Sequence, residues 1–486
     1  MSEPDEADHV VTAFLRNRGE LLLLKRSDAV GTYPGRWGGV SGFAEGDPDA
    51  QVRNEIREET GLDPGEQCTF VRSGRPIEFE DPDLGRRWAV HPYLFDCDSR
   101  SVELSHEHVD SAWEPPTVVA TGEHWLDSAE DAPEARSPDD PVESIETVPK
   151  QWAAYERVAP TVRSIAADDA HGAAFLSIRA LEVLRDRAGL LVREREASGS
   201  GASSEAVSEP SRLEEVSGSG ASSGADAGEP DRAAEWEELA ALARRLLEAR
   251  PAMAVLANRV NRAMAGADEG DGVRDARTVL ESTIAGIECA VEADATAAER
   301  ASEYASGRVL TLSRSGTVCE ALRVAEPERL FVAESRPARE GVGLAEHLAG
   351  SVPVTIHTDA ATAHLLSRES IDAVLVGADT VLPDGRVVNK TGTRATAIAA
   401  DREGVPVYAV AASDKVSTRA EVTLESAGRS AIYDGDAALD VANPTFDVTP
   451  ADCVTGVVTE RGVLDREAIG NIADDLRTSE AWWSGR

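Results

Sequence analysis

The feature that most constrains the fold is a series of short apolar runs in the last third of the chain. Five such runs follow residue 306 and alternate with stretches of helical character: RVLTLS, RLFVAES, VPVTIH, DAVLVG and VPVYAV. Runs of this kind are typical of strands that helices bury on both faces, which is the arrangement of a parallel sheet. We therefore predict an α/β unit over residues 306–486.

Polar residues follow these predicted strands at the points where the strands end. In a parallel sheet, ligands bind outside the carboxyl ends of the strands, and backbone N–H groups at the start of the next helix attract phosphate. A single polar cluster is also compatible with a capping loop, but four clusters at corresponding strand ends favour one shared phosphate site. The candidate ligand-binding residues are Ser313, Arg314, Ser315, Gly316, Arg336, Asp379, Asn389 and Lys390.

The middle of the chain has helical periodicity with one interruption. Residues 150–305 are predicted to form a helical subdomain, which includes AAFLSIRALEVLRDRAGLLV and AAEWEELAALARRLLEARPAMAVLANRVNRAM. Between these stretches, the heptapeptide SGSGASS occurs at 198 and again at 217. Such a composition cannot bury enough apolar surface to offset the entropy of ordering, so we expect residues 194–230 to be a disordered Ser/Gly-rich insertion.

The N-terminal part is predicted to be a separate α+β unit. Two apolar runs flank an Arg-Asn-Arg-Gly turn in HVVTAFLRNRGELLLLKR, which indicates a hairpin. A Gly-rich stretch follows, and then a charged helix that we expect to stop at Gly61. We place this domain at residues 1–132 and interpret the acidic, Pro-rich residues 133–149 as a linker.

The sharpest local pattern is the helical segment EIREETGL. Glu55, Glu58 and Glu59 stand at positions i, i+3 and i+4, so they share one helical face. Three carboxylates this close repel one another unless a cation lies among them, and such oxygen ligands suit Mg²⁺ or Mn²⁺. A metal there would clamp a diphosphate and activate the attacking water. In so acidic a chain, the alternative interpretation is a solvated acidic helix face.

The stretch from Gly42 to Leu62 resembles the Nudix box, whose pattern is G-x5-E-x7-R-E-U-x-E-E-x-G-U with U apolar. The hairpin, the Trp37 turn and EHVDSAWEPP also resemble Nudix elements, so the resemblance covers roughly residues 8–130. It implies an α/β/α sandwich and a metal-dependent hydrolase of a nucleoside diphosphate linked to another moiety. By position, it implies Glu55, Glu58 and Glu59 as metal ligands, Glu58 and Glu59 as catalytic residues, and Glu107 as a further ligand or base.

The box departs from the family pattern in three respects. Asn54 stands where the family has an arginine that orients a box carboxylate, and the adjacent Arg53 points about 100° away on a helix. The loop is two residues shorter than the pattern, and Asp47 replaces its glutamate. These departures concern the hydrolytic activity more than the fold.

The C-terminal part resembles a second family. GADTVLPDGRVVNKTGT, ESRPAREG, LTLSRSGTV and HGAAFLSIRALEVLRD are similar to segments of the α, β and δ subunits of translation initiation factor 2B. They are also similar to ribose-1,5-bisphosphate and methylthioribose-1-phosphate isomerases, over roughly residues 150–435. The resemblance implies a helical subdomain, a Rossmann-like subdomain, and a homodimer or higher oligomer formed through the C-terminal region.

In those isomerases a Cys and an Asp carry the aldose–ketose chemistry. Asp379 matches the Asp, which implies a catalytic role for it, whereas Ser313 stands where the Cys is expected. Cys319 lies about two helical turns further along and is not expected to replace that Cys. The missing thiol argues against isomerisation, while Arg336, Asn389 and Lys390 match positions expected to bind a sugar or nucleotide phosphate.

The charge balance and the cysteines indicate the setting. The 88 acidic and 49 basic residues give a formal net charge of −39. This charge favours a protein from a halophilic cytoplasm, where high salt screens the self-repulsion. The alternative is an ordinary acidic protein with an acidic linker. No basic footprint for direct nucleic-acid binding is present. Five scattered cysteines without a C-x-x-C pair indicate neither zinc nor a disulfide scaffold. Without an apolar leader or membrane-length run, we expect a cytoplasmic protein with no membrane partner.

The leading interpretation is a metal-dependent Nudix-type hydrolase fused to an initiation-factor-2B-like domain that binds a small phosphorylated ligand. One alternative is a non-enzymatic regulatory subunit with a decayed Nudix domain. The other is a sugar-phosphate isomerase that functions despite Ser313. Asn54 and Ser313 are the residues that separate these interpretations.

Overall fold

The computed structural model describes residues 7–121, 145–168, 170–201, 229–268, 273–424 and 426–483. The chain divides into two compact units. Unit 1 contains residues 1–161, 182–239 and 273–284, and unit 2 contains residues 162–181, 240–272 and 285–486. Three of the five boundaries between the units fall within long helices of the middle region.

In the described residues, unit 1 is built on a mixed sheet of eight strands. The strands are β1 (Asp8–Asn17), β2 (Glu20–Arg26), β3 (Trp37–Gly38), β4 (Val40–Phe43), β5 (Cys68–Ser73), β6 (Ile77–Asp81), β7 (Arg86–Cys97) and β8 (His108–Glu114). Strand β1 is central, since it runs antiparallel to β2 and β4 and parallel to β7. The predicted hairpin is confirmed, and Arg18 and Gly19 form its turn with φ of 51° and 83°.

Helices cover both faces of this sheet. Helix α1 (Pro48–Thr60) is capped by Asp47 and ends at Gly61 in the left-handed conformation, as predicted. Val52 and Ile56 pack α1 against one face. Helix α2 (Pro116–Thr121) follows β8, and α3 (Gln151–Glu156) packs against the other face. The α/β/α sandwich that the Nudix resemblance implies is confirmed.

The middle of the chain is helical, as its periodicity predicts. Its helices are α4 (Val162–Ala166), α5 (Ala173–Gly201), α6 (Glu229–Ala249), α7 (Ala254–Gly266) and α8 (Ala276–Ser302). Helix α5 extends to Gly201, so the predicted start of the flexible insertion at residue 194 is too early. The reason is that Arg195 in the last turns pairs with Glu235 and Asp275 at 3.0 and 3.1 Å.

Parts of two predicted segments lie outside the described residues, namely 202–228 of the expected insertion and 133–144 of the expected linker. The last residues of that linker are paired with β3. The Trp37 N–H donates to the Glu146 carbonyl at 2.9 Å, and the Val148 N–H donates to the Trp37 carbonyl at 2.8 Å. Residues 145–149 therefore belong to the edge of the sheet.

Cys68 and Cys97 form a disulfide, which is a correction to the reading of the cysteines. The two residues lie directly opposite each other on β5 and β7, with Cα atoms 4.1 Å apart. Strand register decides this pairing, and the spacing of cysteines in the sequence contains no information about register.

Buried charges connect helix α5 with the sheet of unit 1. The Arg16 guanidinium lies between Asp96 on β7, at 2.7 Å, and Glu182 on α5, at 3.1 Å. The Arg16 and Glu182 side chains are 2% and 0% exposed. One turn along the helix, Arg185 donates to the Gly19 carbonyl of the hairpin turn. Burying a charge is costly unless it is paired, so these contacts determine where the helix can lie.

Unit 2 is built, in the described residues, on a seven-stranded sheet with the order β11-β10-β9-β12-β15-β17-β18. Its strands are β9 (Arg308–Leu312), β10 (Arg329–Ala333), β11 (Val354–His357), β12 (Ala373–Gly377), β15 (Val407–Val410), β17 (Gly456–Thr459) and β18 (Gly462–Leu464). All neighbours are parallel except β17 and β18. A small second sheet contains β13 (Thr380–Val381), β14 (Val387–Lys390) and β16 (Phe446–Thr449).

Helices bury both faces of the large sheet, so the predicted Rossmann-like arrangement is confirmed. The helices are α9 (Gly316–Ala325), α10 (Glu340–Leu348), α11 (Thr362–Arg368), α12 (Thr393–Glu403) and α13 (Arg466–Thr478). Val374 and Val376 of β12 pack with Ala397 of α12 on one face, whereas Leu375 packs with Leu322 of α9 on the other. The strand order changes direction between β9 and β12, and a crevice opens at such a point beyond the carboxyl ends of the strands.

Among the described residues, no helix is both long and apolar enough to span a membrane.

We predict that Arg16→Met destabilises the protein by about 3–5 kcal/mol, because it removes the buried cation that pairs with Glu182 and Asp96. The matched control is Arg87→Met, which breaks the exposed Arg87–Glu78 pair of the same sheet and should cost less than about 1 kcal/mol. Both values are measured by denaturant unfolding at high salt. Equal losses in the two variants would contradict a structural role for the buried pair.

Candidate functional site

The box carboxylates lie between helix α1 and the outer edge of strand β4. In the described residues β4 pairs only with β1, which leaves its other edge available. The Ser41 N–H on that edge donates to Glu59 Oε2 at 3.2 Å. The Glu55 carboxylate covers Gly42 so closely that a Cβ on Gly42 would overlap it. The first glycine of the box is thus required by the position of the first box glutamate.

Glu59 is held in an environment that opposes its ionisation. Its residue is 3% exposed, and Oε1 has no hydrogen-bond partner within the described part of the chain. Burial, and then the charge of Glu55, raise the pKa of Glu59 well above its usual range, against the Ser41 N–H and Arg26, which lower it. Burial also raises the pKa of Glu55, with further contributions from Glu58 and Glu107. A divalent cation would relieve this accumulation of negative charge.

The three box glutamates do not share one environment. Successive helix positions differ by about 100°, so Glu59 points to the sheet while Glu58 is exposed to solvent. Across the described ranges, no group of three or more His, Cys, Asp or Glu side chains is arranged to hold a metal ion. The donors that best fit a hard cation are Glu55 and Glu59, with Glu107, whose charge acts on both. Metal binding and the catalytic role of Glu58 and Glu59 remain predictions.

Two residues that the sequence did not single out support the box carboxylates. Gln51 Nε2 donates to Glu55 Oε1 at 2.6 Å from one turn earlier in α1. Arg26 at the end of β2 lowers the pKa of Glu59. Arg53 lies over the Phe95 ring at 5.8 Å, and Asn54 is exposed, so neither replaces the missing box arginine. The i, i+4 spacing of Gln51 and Glu55 is a detectable signal, whereas Arg26 is brought in by the sheet.

His108 is a further buried group beside the box. Its Nε2 lies 3.9 Å from Glu59 Oε2. Burial, and then Arg26, lower the pKa of His108 to about 4. The imidazole is therefore neutral at neutral pH and does not neutralise Glu59.

We predict that Glu59→Gln stabilises the chelator-treated protein at pH 8, because a carboxyl with a raised folded-state pKa opposes folding above its unfolded pKa of about 4.3. The difference should vanish below about pH 4, where the carboxyl is protonated in both states. Glu58→Gln, at the exposed neighbouring position, should leave the melting temperature unchanged. A Glu59→Gln variant no more stable than the parent at pH 8 would contradict this reading.

The second candidate site lies in unit 2, at the carboxyl ends of β9 and β12. Ser315 caps helix α9, and its side chain accepts from the Val318 N–H. A Cβ on Gly377 would lie 2.8 Å from the Ser315 side chain and 3.7 Å from Asn389 Oδ1. Ser315, Gly377 and Asn389 therefore lie close together.

The loops after β9 and β10 are held in an uncommon backbone conformation. Ser313 and Ser335 have φ of 63° and 61°, in the left-handed region that L residues seldom occupy. The Ser313 N–H donates to Ser335 Oγ at 2.6 Å. Asp359 accepts from the Ser335 and Arg336 N–H groups at 2.8 and 2.7 Å. Conformations of this kind persist only where surrounding contacts enforce them, and they concentrate at binding sites.

Asp379 follows β12 and is half-buried, and its N–H donates to the Val388 carbonyl at 2.9 Å. Lys415, which the sequence reading missed, is buried beside it, with Nζ 2.7 Å from the Ala378 carbonyl. The signal was available, because the chain has four lysines and two of them, Lys390 and Lys415, follow strands of unit 2. Lys415 therefore contacts the backbone directly before the candidate catalytic residue Asp379.

Some of the remaining residues that were predicted to bind phosphate already have other partners. Lys390 pairs with Glu340 at 2.7 Å and lies 5.4 Å from the centre of the Phe446 ring. The Gly392 and Arg394 N–H groups at the start of α12 donate to Asp447, so this helix start already has an anion. Gly316, Arg314 and Arg336 are exposed at the mouth of the crevice. Burial raises the pKa of the Cys319 thiol, so Cys319 does not supply a thiolate.

Comparison with known proteins identifies both parts of the chain. A family model described as NUDIX domain matches residues 7–136, and one described as Initiation factor 2 subunit family matches residues 217–466. The methylthioribose-1-phosphate isomerase of Stutzerimonas stutzeri (strain A1501) is 39% identical over 150 residues, which are 29% of this chain and 42% of that protein. That of Thermosynechococcus vestitus is 36% identical over 161 residues, which are 31% and 45%. The chain thus spans less than half the length of these curated relatives.

Two solved structures from Pyrococcus horikoshii OT3 are also similar. The translation initiation factor eIF-2B is 22% identical, with a TM-score of 0.48, and the match covers 64% of this chain and 97% of that one. The 5-methylthioribose 1-phosphate isomerase is 20% identical, with a TM-score of 0.47, over 65% and 86% of the two chains.

Proposed function

The chain belongs to the initiation factor 2 subunit family and carries a Nudix domain, and from this premise we propose that residues 7–136 form a metal-dependent hydrolase of nucleoside-diphosphate-linked compounds. The observation that carries the proposal is the buried Glu59 carboxylate, with one oxygen unbonded in the described residues and Glu55 beside it. A structural carboxylate would be expected to have a cation or donors for both oxygens. Strongly perturbed carboxylates in a cleft are candidates for function.

The residues around the site have separable roles in this proposal. Glu55, Glu59 and Glu107 would hold a divalent cation, which when bound supplies charge stabilisation for a diphosphate and a more acidic water. Gln51 fixes the direction of the Glu55 carboxylate. The Ser41 N–H and Arg26 favour the ionised form of Glu59, which is the form that binds metal.

We predict that the full-length protein hydrolyses nucleotide sugars or dinucleoside diphosphates with Mg²⁺ or Mn²⁺, and that chelator abolishes turnover. Glu59→Gln should lower the rate by orders of magnitude, because metal charge stabilisation contributes several kcal/mol. Glu66→Gln changes an exposed carboxylate after α1 and should have no effect. Full turnover in chelator, or in the Glu59→Gln variant, would exclude this mechanism.

For unit 2 we propose binding of a small sugar phosphate or nucleotide beyond β9 and β12, in a homodimer or larger oligomer. Support comes from the convergence of Ser315, Gly377 and Asn389 and from the enforced backbone of Ser313 and Ser335. The exposed Arg336 comes directly after Ser335 in the sequence. Its backbone N–H donates to Asp359, which fixes the position of the residue. Charge-assisted bonds from such an arginine to phosphate are among the stronger polar contacts.

A second candidate for unit 2 is an aldose–ketose isomerase, which the similarity to methylthioribose-1-phosphate isomerases favours. Proton movement between adjacent carbons needs an acid and a base poised near neutrality. Asp379 supplies one group, and a serine hydroxyl at position 313 is a weak substitute for a thiol. The buried Lys415 side chain, whose Nζ donates to the Ala378 carbonyl at 2.7 Å, is the lysine closest in the fold to the backbone of Asp379 and is the residue to substitute in testing for a second group. The argument against isomerase activity rested on Ser313 alone, and the similarity to methylthioribose-1-phosphate isomerases does not support it.

We predict that full-length protein binds methylthioribose-1-phosphate or ribose-1,5-bisphosphate in calorimetry and that Arg336→Ala weakens binding by about ten- to a hundredfold. The matched control is Arg329→Ala, because Arg329 lies at the amino end of β10, the strand that precedes Arg336. This variant should bind the ligand as the parent does. NMR of the recovered ligand then separates the two candidates. Ligand recovered unchanged supports binding alone, whereas conversion to the ketose that Asp379→Asn abolishes would establish the isomerase.

A further inference from the structure

Residues 413–417, which form the turn after β15, are bonded to the segment that carries the candidate catalytic aspartate. Lys415 Nζ donates to the Ala378 carbonyl at 2.7 Å, and the Ser417 N–H donates to the Val381 carbonyl at 2.7 Å. In the sequence the aspartate lies between these two carbonyl groups. The turn therefore holds the chain both before and after the aspartate.

The aspartate is also held by its own backbone. The Asp379 N–H donates to the Val388 carbonyl at 2.9 Å, and Thr380 pairs with Val388 across β13 and β14. With the two bonds from the turn, the backbone of residues 378–381 is fixed. The place of the Asp379 side chain therefore depends on the place of the turn.

Helix α7 contacts this turn with three polar side chains. Asn258 Nδ2 donates to the Asp414 and Val416 carbonyls, both at 2.7 Å. Arg259 Nε donates to Asp414 Oδ2 at 2.9 Å, and Arg262 donates to Asp414 Oδ1 at 2.6 Å. Both the backbone and the side chain of Asp414 are thus bonded to one helix.

The contacts between α7 and the turn are buried and charged. Arg259 and Asp414 are 3% and 4% exposed. The other two nitrogens of the arginine bond Ser177 Oγ on α5 at 2.9 Å, and the Ala290 carbonyl and Asp294 Oδ2 on α8, both at 3.3 Å. Because a buried charge that loses its partner is strongly destabilising, these three helices determine where the turn lies.

The start of the turn has an anchor of its own. The Ser413 N–H donates at 2.9 Å to Glu460 Oε2 in the β17–β18 hairpin. Loss of the α7 contacts would therefore leave the turn attached at Ser413 and release mainly the residues after it, which are those bonded to the aspartate segment. A change in these contacts is thus expected to move the aspartate without unfolding the sheet.

We propose that Asp414 is a positioning residue that acts through the turn to hold Asp379 in place at the crevice beyond β9 and β12. The inference rests on the proposed function of unit 2 and extends that site into helix α7, whose side chains act on Asp379 through Asp414 rather than on the ligand. A displacement of about 1 Å, caused by a change far from the chemistry, costs about a hundredfold in rate. The site is therefore sensitive to a contact that lies outside it.

The test follows amide hydrogen exchange of the ligand-free, full-length protein by mass spectrometry. Asp414→Asn keeps the shape of the side chain but removes its charge, so exchange within residues 378–381 and 414–417 should become about ten- to a hundredfold faster. Asp294→Asn is the matched control, because it removes the other carboxylate of Arg259 and leaves the turn untouched. Residues 378–381 should stay as protected in that variant as in the parent. No acceleration in Asp414→Asn, or the same acceleration in both variants, overturns the proposal.

Arg262→Met provides the test if Asp414→Asn does not fold. The Arg262 side chain is 45% exposed, so its removal leaves no buried cavity, yet it withdraws the cation that bonds Asp414 Oδ1. Exchange within residues 378–381 should again become faster, and Arg262→Lys should restore protection because it returns a cation. Unchanged exchange in Arg262→Met would contradict the role of Asp414.

Calorimetry with methylthioribose-1-phosphate then shows whether Asp414 acts through Asp379. Asp379→Asn should weaken binding by about ten- to a hundredfold, Asp414→Asn should reproduce part of that loss, and Asp294→Asn should bind as the parent does. The double variant of Asp379 and Asp414 should bind no more weakly than Asp379→Asn alone, because the second change has nothing left to act on. Additive losses overturn the proposal. A parent that binds no sugar phosphate refutes the proposed function of unit 2, whereas the hydrogen exchange still decides whether Asp414 positions Asp379.

Discussion

In the described residues, the two large sheets are covered on both faces by helices, and this constraint decides where polar side chains can lie. A polar group within either sheet would be buried without a partner, so polar side chains are confined to free edges and strand ends. In unit 1 the free edge is β4, whose Ser41 N–H bonds Glu59. In unit 2 the strand ends are those of β9 and β12, where Ser315, Gly377 and Asn389 converge. The two candidate sites therefore differ in position, at a free edge in unit 1 and at strand ends in unit 2, although both avoid burying polar side chains beneath the helices.

The treatment of buried charge distinguishes structure from function in this protein. Asp414 in unit 2 is buried, which by itself would raise its pKa, but Arg259 and Arg262 at 2.9 and 2.6 Å outweigh burial and lower it. Arg16 in unit 1 is likewise placed between two carboxylates. Glu59 differs, because its pKa is raised and one of its oxygens lacks a partner in the described residues. In the proposed hydrolase, a cation bound at Glu59 would supply the compensation that Arg259 and Arg262 supply to Asp414.

The fold was predictable from local patterns, and the site only in part. Apolar runs identified β9 to β12 and β15, and a left-handed glycine identified the end of α1 at Gly61, because these depend on neighbours in the chain. The Cys68–Cys97 disulfide and the approach of Arg26 to Glu59 depend on strand register, which composition and spacing do not encode. Glu58 was grouped with Glu59 because both follow Glu55 at the i+3 and i+4 positions, although the helix turns the two side chains about 100° apart. Lys415 was not predicted because it lies in a buried turn, outside the polar clusters that directly follow the predicted strands.

The net charge of −39 adds a condition that both sites must meet. An anionic phosphate approaches a surface that repels it, and at molar salt the repulsion is screened within about 3 Å. Binding must then come from cations at contact distance. In unit 1 the nearby arginine Arg26 is already bonded to the Thr32 carbonyl, so in the proposed hydrolase a divalent ion at Glu55 and Glu59 would supply the positive charge. In unit 2 a phosphate has to compete with Glu340 for Lys390, which leaves Arg336 as the cation best placed to make first contact.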